Sequence, residues 1–247
     1  MDVSSTLPEP PGLPELREAG PVAVFLDFDG TLVALAERPD AIAVPAGLGE
    51  SLCSLADRLD GRLALVSGRS VEDVERHVGP LRIACAGSHG IDRRLADGTA
   101  FGEEPELLPP EVGAALRAFA DEHGFLLEEK PHGAALHCRA APHLEERGLD
   151  YAEELAALHG LHMKPGKCVV ELVRPGADKA GAVHAFMGLP PFRGARPAFL
   201  GDDVTDEDGF AAARELGGFG ILVGDPRPTA ARYALADVAA ARAWLEL

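Results

Sequence analysis

Two carboxylates close an apolar run near the start of the chain: Val22 to Leu26 are apolar, and Asp27-Phe28-Asp29-Gly30-Thr31 follows. At strand spacing Asp27 and Asp29 face the same side. Carboxylates held that close repel unless a cation or a shared proton intervenes. Gly30 permits a sharp turn beside a ligand, and Thr31 offers a hydroxyl and an amide. A second acidic pair, Asp202-Asp203, ends another apolar run, with Asp206, Glu207 and Asp208 behind it. Acidic residues at a helix start account for Asp206 and Glu207, but less well for adjacent carboxylates directly after a buried strand. Two acidic strand ends that converge offer oxygen ligands only, which suits Mg²⁺ completed by a substrate phosphate. Between the pairs lie Ser67, a donor to phosphoryl oxygens flanked by the Gly68 and Arg69 amides, and Lys179, a cation at the start of a helix expected over 176–187. Ser67 or Lys179 alone is an ordinary turn or surface residue. Together, in the order acidic pair, serine, lysine, acidic pair, they outline a phosphate site.

The elements that must carry these groups follow from periodicity. Short apolar runs at 22–26, 62–67, 82–87, 195–201 and 218–224, the first of them rich in Val and Phe, read as buried parallel strands. Helical spacing of Leu48, Leu52 and Leu55 predicts a helix over 46–58. Ser70-Val71-Glu72-Asp73 predicts a capped helix start, and residues 207–216 a further helix. Strand alternating with helix, polar residues at the strand C-terminal ends, is the pattern of an open α/β sheet, which binds ligands outside those ends. The pattern breaks from 103 to 174. There the order is helix (111–123), strand (125–130), strand (134–138), helix (143–159) and strand (167–172), an α+β insertion. The expected organisation is an N-terminal tail over 1–20, a catalytic core from 21–102 and 175–247, and a cap over 103–174.

Composition limits the partners. The 247 residues carry 23 Lys+Arg against 40 Asp+Glu, a formal charge of −17. A chain that acidic repels nucleic acid, so an anionic substrate must be held by local cations or a metal. No apolar run reaches the roughly 18 residues of a membrane helix. The acidic, proline-broken N-terminus is unlike a secretory signal. Cys53, Cys85, Cys138 and Cys168 lack metal-ligand spacing and read as inert thiols of a reducing compartment. The expectation is a cytoplasmic monomer acting on a small molecule, with no nucleic-acid or membrane partner.

The ordered set resembles the haloacid dehalogenase (HAD) superfamily of phosphohydrolases, with DFDGT, Ser67, Lys179 and GDDVTDED as its four motifs. Beyond the core, AGSHG (86–90), Glu128-x-Lys130, Leu136-His137-x-Arg139 and GKCVVE (166–171) resemble the trehalose-6-phosphate phosphatase family, over about residues 22–225. The resemblance implies a HAD-type open parallel sheet flanked by helices, with a smaller α+β cap inserted. It implies hydrolysis of trehalose 6-phosphate to trehalose and phosphate as the last step of trehalose biosynthesis. Asp27 would be the nucleophile forming an aspartyl-phosphate. Asp29 would protonate the departing sugar oxygen and then activate water. Mg²⁺ would be held by Asp27, the Asp29 carbonyl and Asp202, with Asp203 and Asp206 positioning its waters. Gly30, Thr31, Ser67, Gly68, Arg69 and Lys179 would bind the phosphate. By alternation alone, the polar residues of the insertion are a solvated sheet face. The resemblance makes Glu128, Lys130, Arg139, Lys167 and Glu171 sugar-binding, with His137 beside them. His89 and Gly90 join the sugar pocket by resemblance only.

Two other readings remain at this point. A HAD phosphatase for another sugar phosphate, of the sucrose or mannosylglycerate type, would share every core motif. A non-catalytic phospho-acceptor or regulatory module would also use acidic residues, Ser and Lys, but it needs neither the Asp29 role nor the insertion.

Overall fold

The computed structural model describes residues 7–36, 42–102, 106–130, 132–138, 140–166, 168–176 and 178–247. The chain divides into two compact units, Met1–Gly102 with Lys179–Leu247, and Glu103–Asp178.

The first unit is a seven-stranded sheet. Its strands are β1 (Val22–Leu26), β2 (Leu63–Val66), β3 (Ala84–Gly87), β4 (Asp92–Arg94), β9 (Arg196–Gly201), β10 (Phe219–Val223) and β11 (Tyr233–Leu235). Their order is β11-β10-β9-β1-β2-β3-β4, all pairs parallel except the β3–β4 edge. β1 is central, and all five of its residues are buried. Covered on both faces, it has no solvent side to show alternation, which is why it reads as an unbroken apolar run. Chain order reverses across β1, with β9 on one side and β2 on the other. That reversal is where an open sheet leaves a crevice at its strand C-termini.

The helices of this unit are α1 (Leu13–Ala19), α2 (Leu48–Arg58), α3 (Val71–Val78), α6 (Lys179–Met187), α7 (Glu207–Glu215) and α8 (Val238–Trp244). One sheet face packs Leu52, Leu55 and Val74 against Val24, Leu26 and Leu65. The other packs Val183, Phe186 and Phe210 against Phe25 and Phe199. Residues 13–20 depart from the expected tail. Pro14 at the first turn starts α1, and Leu13 and Leu16 are buried in the core, anchored further by Trp244 Nε1 donating to the Pro11 carbonyl at 2.9 Å. Two buried leucines outweigh the composition that reads as a lead-in.

The second unit is a four-stranded antiparallel sheet, β5 (Leu126–Lys130), β6 (Gly133–His137), β7 (His162–Gly166) and β8 (Val169–Val173), in the order β5-β6-β8-β7. Helices α4 (Pro110–His123) and α5 (Glu145–His159) cover one face through Val112, Leu116, Ala152 and Leu155, which meet Leu136, Val170 and Leu172. β7 is absent from the sequence expectation because Lys164-Pro165-Gly166 reads as a turn. It is an edge strand, where a proline costs no ladder hydrogen bond.

Candidate active site

Three elements deliver the acidic groups. Asp27 follows β1, Asp202 follows β9, and Asp206 closes the 3₁₀ turn Val204–Asp206 that starts α7. β1 and β9 are parallel neighbours in direct register, Leu26 opposite Leu200, so both C-terminal ends arrive together. One carboxylate oxygen of each of Asp27, Asp202 and Asp206 lies within 4.8 Å of the others. Lys179, the first residue of α6, places Nζ 2.6 Å from Asp27 Oδ1 and 2.6 Å from Asp206 Oδ1. Lysine and both partners are buried.

The electrostatics follow from that geometry. Burial lifts the Asp27 carboxyl well above its usual range and Lys179 pulls it back, while Asp206 and Asp202 push it up again. Burial alone would lower the Lys179 ammonium; Asp27 and Asp206 together outweigh it and the lysine stays charged. Asp202, half-buried, is pushed up to about 7 by burial and by the neighbouring Asp206 and Asp203 carboxylates. Three carboxylates with one ammonium leave an excess of negative charge that a divalent cation would relieve, and the donors are all hard oxygens. The residues fit such an ion.

Asp206 is buried, and protein groups meet both of its carboxylate oxygens. Its Oδ2 accepts from the Asp202 and Asp203 backbone N–H groups, each at 2.9 Å, and its Oδ1 from Lys179, so its carboxylate braces the loop that aims Asp202. Asp203 is exposed and accepts from the Val204 N–H at 2.7 Å, capping the same turn. Arg227 closes this loop from outside, with Nε donating to the Asp202 carbonyl at 3.2 Å and Nη2 to the Asp203 carbonyl at 2.6 Å. It also pairs with Glu207. No sequence signal singled Arg227 out, since most of its partners are backbone carbonyls.

Gly30 is where the two acidic segments meet. Its φ of +76° is left-handed, and a Cβ there would lie 2.0 Å from Asp202 Oδ2. Thr31 is buried, and its hydroxyl has no hydrogen-bond partner among the described residues. Ser67, 1% exposed, ends β2 with its N–H on the Ala86 carbonyl. Its hydroxyl accepts from the Arg69 N–H at 3.1 Å, so that amide is engaged within the turn. The His89 ring lies over Gly68, close enough that a Cβ at residue 68 would approach it to 2.9 Å, and both Ser88 and His89 adopt positive φ. Gly90 follows, buried. The Arg69 guanidinium grips Asp29 with Nε–Oδ2 2.6 Å and Nη2–Oδ1 2.8 Å, and burial costs less than these bonds return, so its pKa rises.

In the second unit the register aligns Glu128, Ala135, Glu171 and Lys164 across four strands. Val170 and Leu172 point into the core beneath α4 and α5, which leaves Glu171 and its row on the opposite face. His137 Nε2 lies 3.0 Å from Glu128 Oε2. Lys164 belongs to this polar row although sequence reasoning missed it along with β7. Arg139, Lys167 and the Lys130 side chain fall outside the described residues; the Lys130 backbone pairs with Gly133. The four thiols are free, and Cys85 is pushed up to about 12 by burial. Among the described residues no helix is long and apolar enough to cross a membrane.

Residues 25–239 match the family model described as trehalose-phosphatase. The Escherichia coli trehalose-6-phosphate phosphatase is 38% identical over 228 residues, covering 91% of this chain and 85% of the relative. An Aspergillus fumigatus trehalose-6-phosphate phosphatase structure shares the fold with a TM-score of 0.73 at 23% identity, covering 97% of this chain and 98% of that one. So does a Bacteroides thetaiotaomicron phosphatase of the haloalkanoate (HAD) superfamily, at 0.65 and 15% identity over 100% and 96% of the two chains.

Proposed function

The chain belongs to the trehalose-phosphatase family, and from that premise we propose that it hydrolyses trehalose 6-phosphate to trehalose and inorganic phosphate, with Asp27 as the phosphoryl acceptor. The observation that carries the reading is the cluster of buried Asp27, Asp206 and Lys179 with half-buried Asp202 at the C-terminal ends of β1 and β9.

Asp27 Oδ attacks phosphorus in line and the P–O bond to the sugar breaks, leaving an aspartyl-phosphate. A carboxylate nearing a phosphate dianion meets about 4 kcal/mol of repulsion per unit-charge pair at 4 Å and an effective dielectric of 20. Mg²⁺, held by Asp27, the Asp29 carbonyl and Asp202, would supply the charge neutralisation between nucleophile and phosphate. Lys179 neutralises Asp27 and Asp206 and faces the same negative charge, and Ser67 and Thr31 offer donors to the equatorial oxygens. Asp29, partly exposed, takes up a proton from solvent as one oxygen leaves the Arg69 fork, gives it to the departing sugar oxygen, and then takes one from the water that attacks the aspartyl-phosphate. The polar row of Glu128, Glu171 and Lys164 supplies partners for sugar hydroxyls, so this unit sets which sugar is accepted while the core sets the chemistry.

A panel of sugar phosphates assayed with and without chelator tests the reading. Trehalose 6-phosphate should be the best substrate, and chelator should abolish turnover, with Mg²⁺ restoring it. Preference for another sugar phosphate removes the specific assignment, and turnover indifferent to chelator removes the metal.

A further inference from the structure

The ends of β1 and β2 are tied together through one side chain that phosphoryl transfer itself does not require. Arg69 presents a planar fork to Asp29, Nε to Oδ2 at 2.6 Å and Nη2 to Oδ1 at 2.8 Å, engaging both carboxylate oxygens. Its remaining nitrogen, Nη1, donates to Asp73 Oδ2 at 2.8 Å. Asp73 is itself fixed in the first turn of α3, its N–H on Ser70 Oγ at 3.1 Å and its Oδ1 on Arg76 at 2.5 Å. The Arg69 backbone is pinned as well, with N–H on Ser67 Oγ and the carbonyl accepting from the Ser88 N–H at 2.8 Å. Phe28 lies beneath the guanidinium, 6.0 Å from Cζ to ring centroid.

The Asp29 side chain is 28% exposed and would otherwise turn freely about two torsions. A bidentate guanidinium fixes both, which a lysine ammonium cannot do. We propose that Arg69 is the positioning residue for the proton-transferring carboxyl: one arm of its fork stays on Asp29 while the other lets its oxygen go to take up a proton, which fixes the orientation that serves the leaving oxygen, and Asp73 and the 67–70 turn hold Arg69. The proposal rests on the assignment of Asp29 to proton transfer made above. It separates Arg69 from the phosphate-binding group, because an arginine that served the phosphate would matter for every ester alike.

Leaving-group dependence tests it. An alkyl ester needs a proton at the departing oxygen, whereas p-nitrophenyl phosphate, with an acidic phenol, needs little help. In the full-length enzyme, Arg69→Gln should lower kcat on trehalose 6-phosphate roughly 10²-fold, the low end of what a positioned acid supplies, with KM little changed. On p-nitrophenyl phosphate the loss should stay within about threefold, since the general-acid term is then small. Arg69→Lys should not restore the sugar ester. Added to Asp29→Asn, Arg69→Gln should cost nothing further on that ester, because both act through one group. Asp73→Asn keeps the Arg69–Asp29 fork and should give a smaller loss confined to the alkyl ester, which tests the idea even if Arg69→Gln misfolds. Equal losses on both esters, full rescue by lysine, or additive losses in the Asp29→Asn background would overturn it. Should another alkyl phosphate prove the better substrate, the substrate assignment falls and that ester serves in the same comparison.

Discussion

Replacing Gly30 by alanine perturbs the point where the two acidic segments touch. The new methyl would lie 2.0 Å from Asp202 Oδ2 and 2.2 Å from its Cγ. An ordinary carbon–oxygen contact is roughly 3.4 Å, so the Asp202 carboxylate must retreat by more than about 1 Å. Its backbone cannot follow easily: the N–H is held by Asp206 at 2.9 Å and the carbonyl by Arg227 at 3.2 Å. The side chain must rotate away from Asp27 instead. Backbone strain at φ +76° adds about 1–2 kcal/mol of lost stability. A misplacement of that size typically costs on the order of 10²-fold in rate. Steady-state kinetics, Mg²⁺ titration and thermal unfolding on one preparation separate these effects. The expected outcome is a folded protein with a small drop in midpoint, weak divalent binding and kcat down about a hundredfold. Wild-type turnover and metal affinity in Gly30→Ala would refute the claim that Asp202 must sit against this glycine to do its work.

Other expectations concern charge and selectivity. Lys179→Met strands two buried carboxylates, each 2.6 Å from the lost ammonium, and should cost roughly 3–5 kcal/mol at pH 8 in chelator. The loss should shrink at pH 5, where Asp27, already raised by burial, takes up a proton; equal losses in denaturant melts at both pH values would contradict it. With Asp202 at about 7 against 3.8 for an ordinary aspartate, the folded metal-free protein binds a proton that the unfolded chain lacks between those values. This contribution to stability is therefore lost as pH rises from about 4 to 7, and divalent binding must displace that proton. Calorimetric titrations in buffers of different ionisation heat should show proton release, with affinity falling about tenfold per unit below pH 7; binding without release would refute the link. Glu171→Ala and Lys164→Ala should reduce trehalose 6-phosphate hydrolysis far more than p-nitrophenyl phosphate hydrolysis, and equal effects on both esters would remove the row from sugar recognition.

The core chemistry was readable in the sequence because each reacting group sits at the end of an apolar run. A buried parallel strand cannot hide its boundary, so Asp27, Ser67 and Asp202 stand out as polar breaks. What escaped notice has identifiable causes. β11 is three residues long at a sheet edge, and α8 is a seven-residue alanine-rich stretch capped by Asp237, whose side chain accepts from the Ala240 N–H at 2.8 Å. Neither offers enough periodicity to register. Lys164 was lost with its strand, because a proline-glycine step looks the same in a turn and on a sheet edge. Asp206 is legible as an acidic group beside the Asp202-Asp203 pair, but that its two oxygens also serve backbone amides and a lysine is visible only in the coordinates. Arg69 and Arg227 show the same limit, since a long side chain's partner can lie dozens of residues away.

The central claim, that Asp27 takes the phosphoryl group onto its own carboxylate, is tested most directly by acid-quenching a single turnover with trehalose 6-phosphate and Mg²⁺ and mapping the peptides by mass. One added phosphoryl group on Asp27, rising and then decaying as phosphate appears, is the predicted result. Phosphate released with no modified peptide at any time point, or a modified residue other than Asp27, would contradict the account.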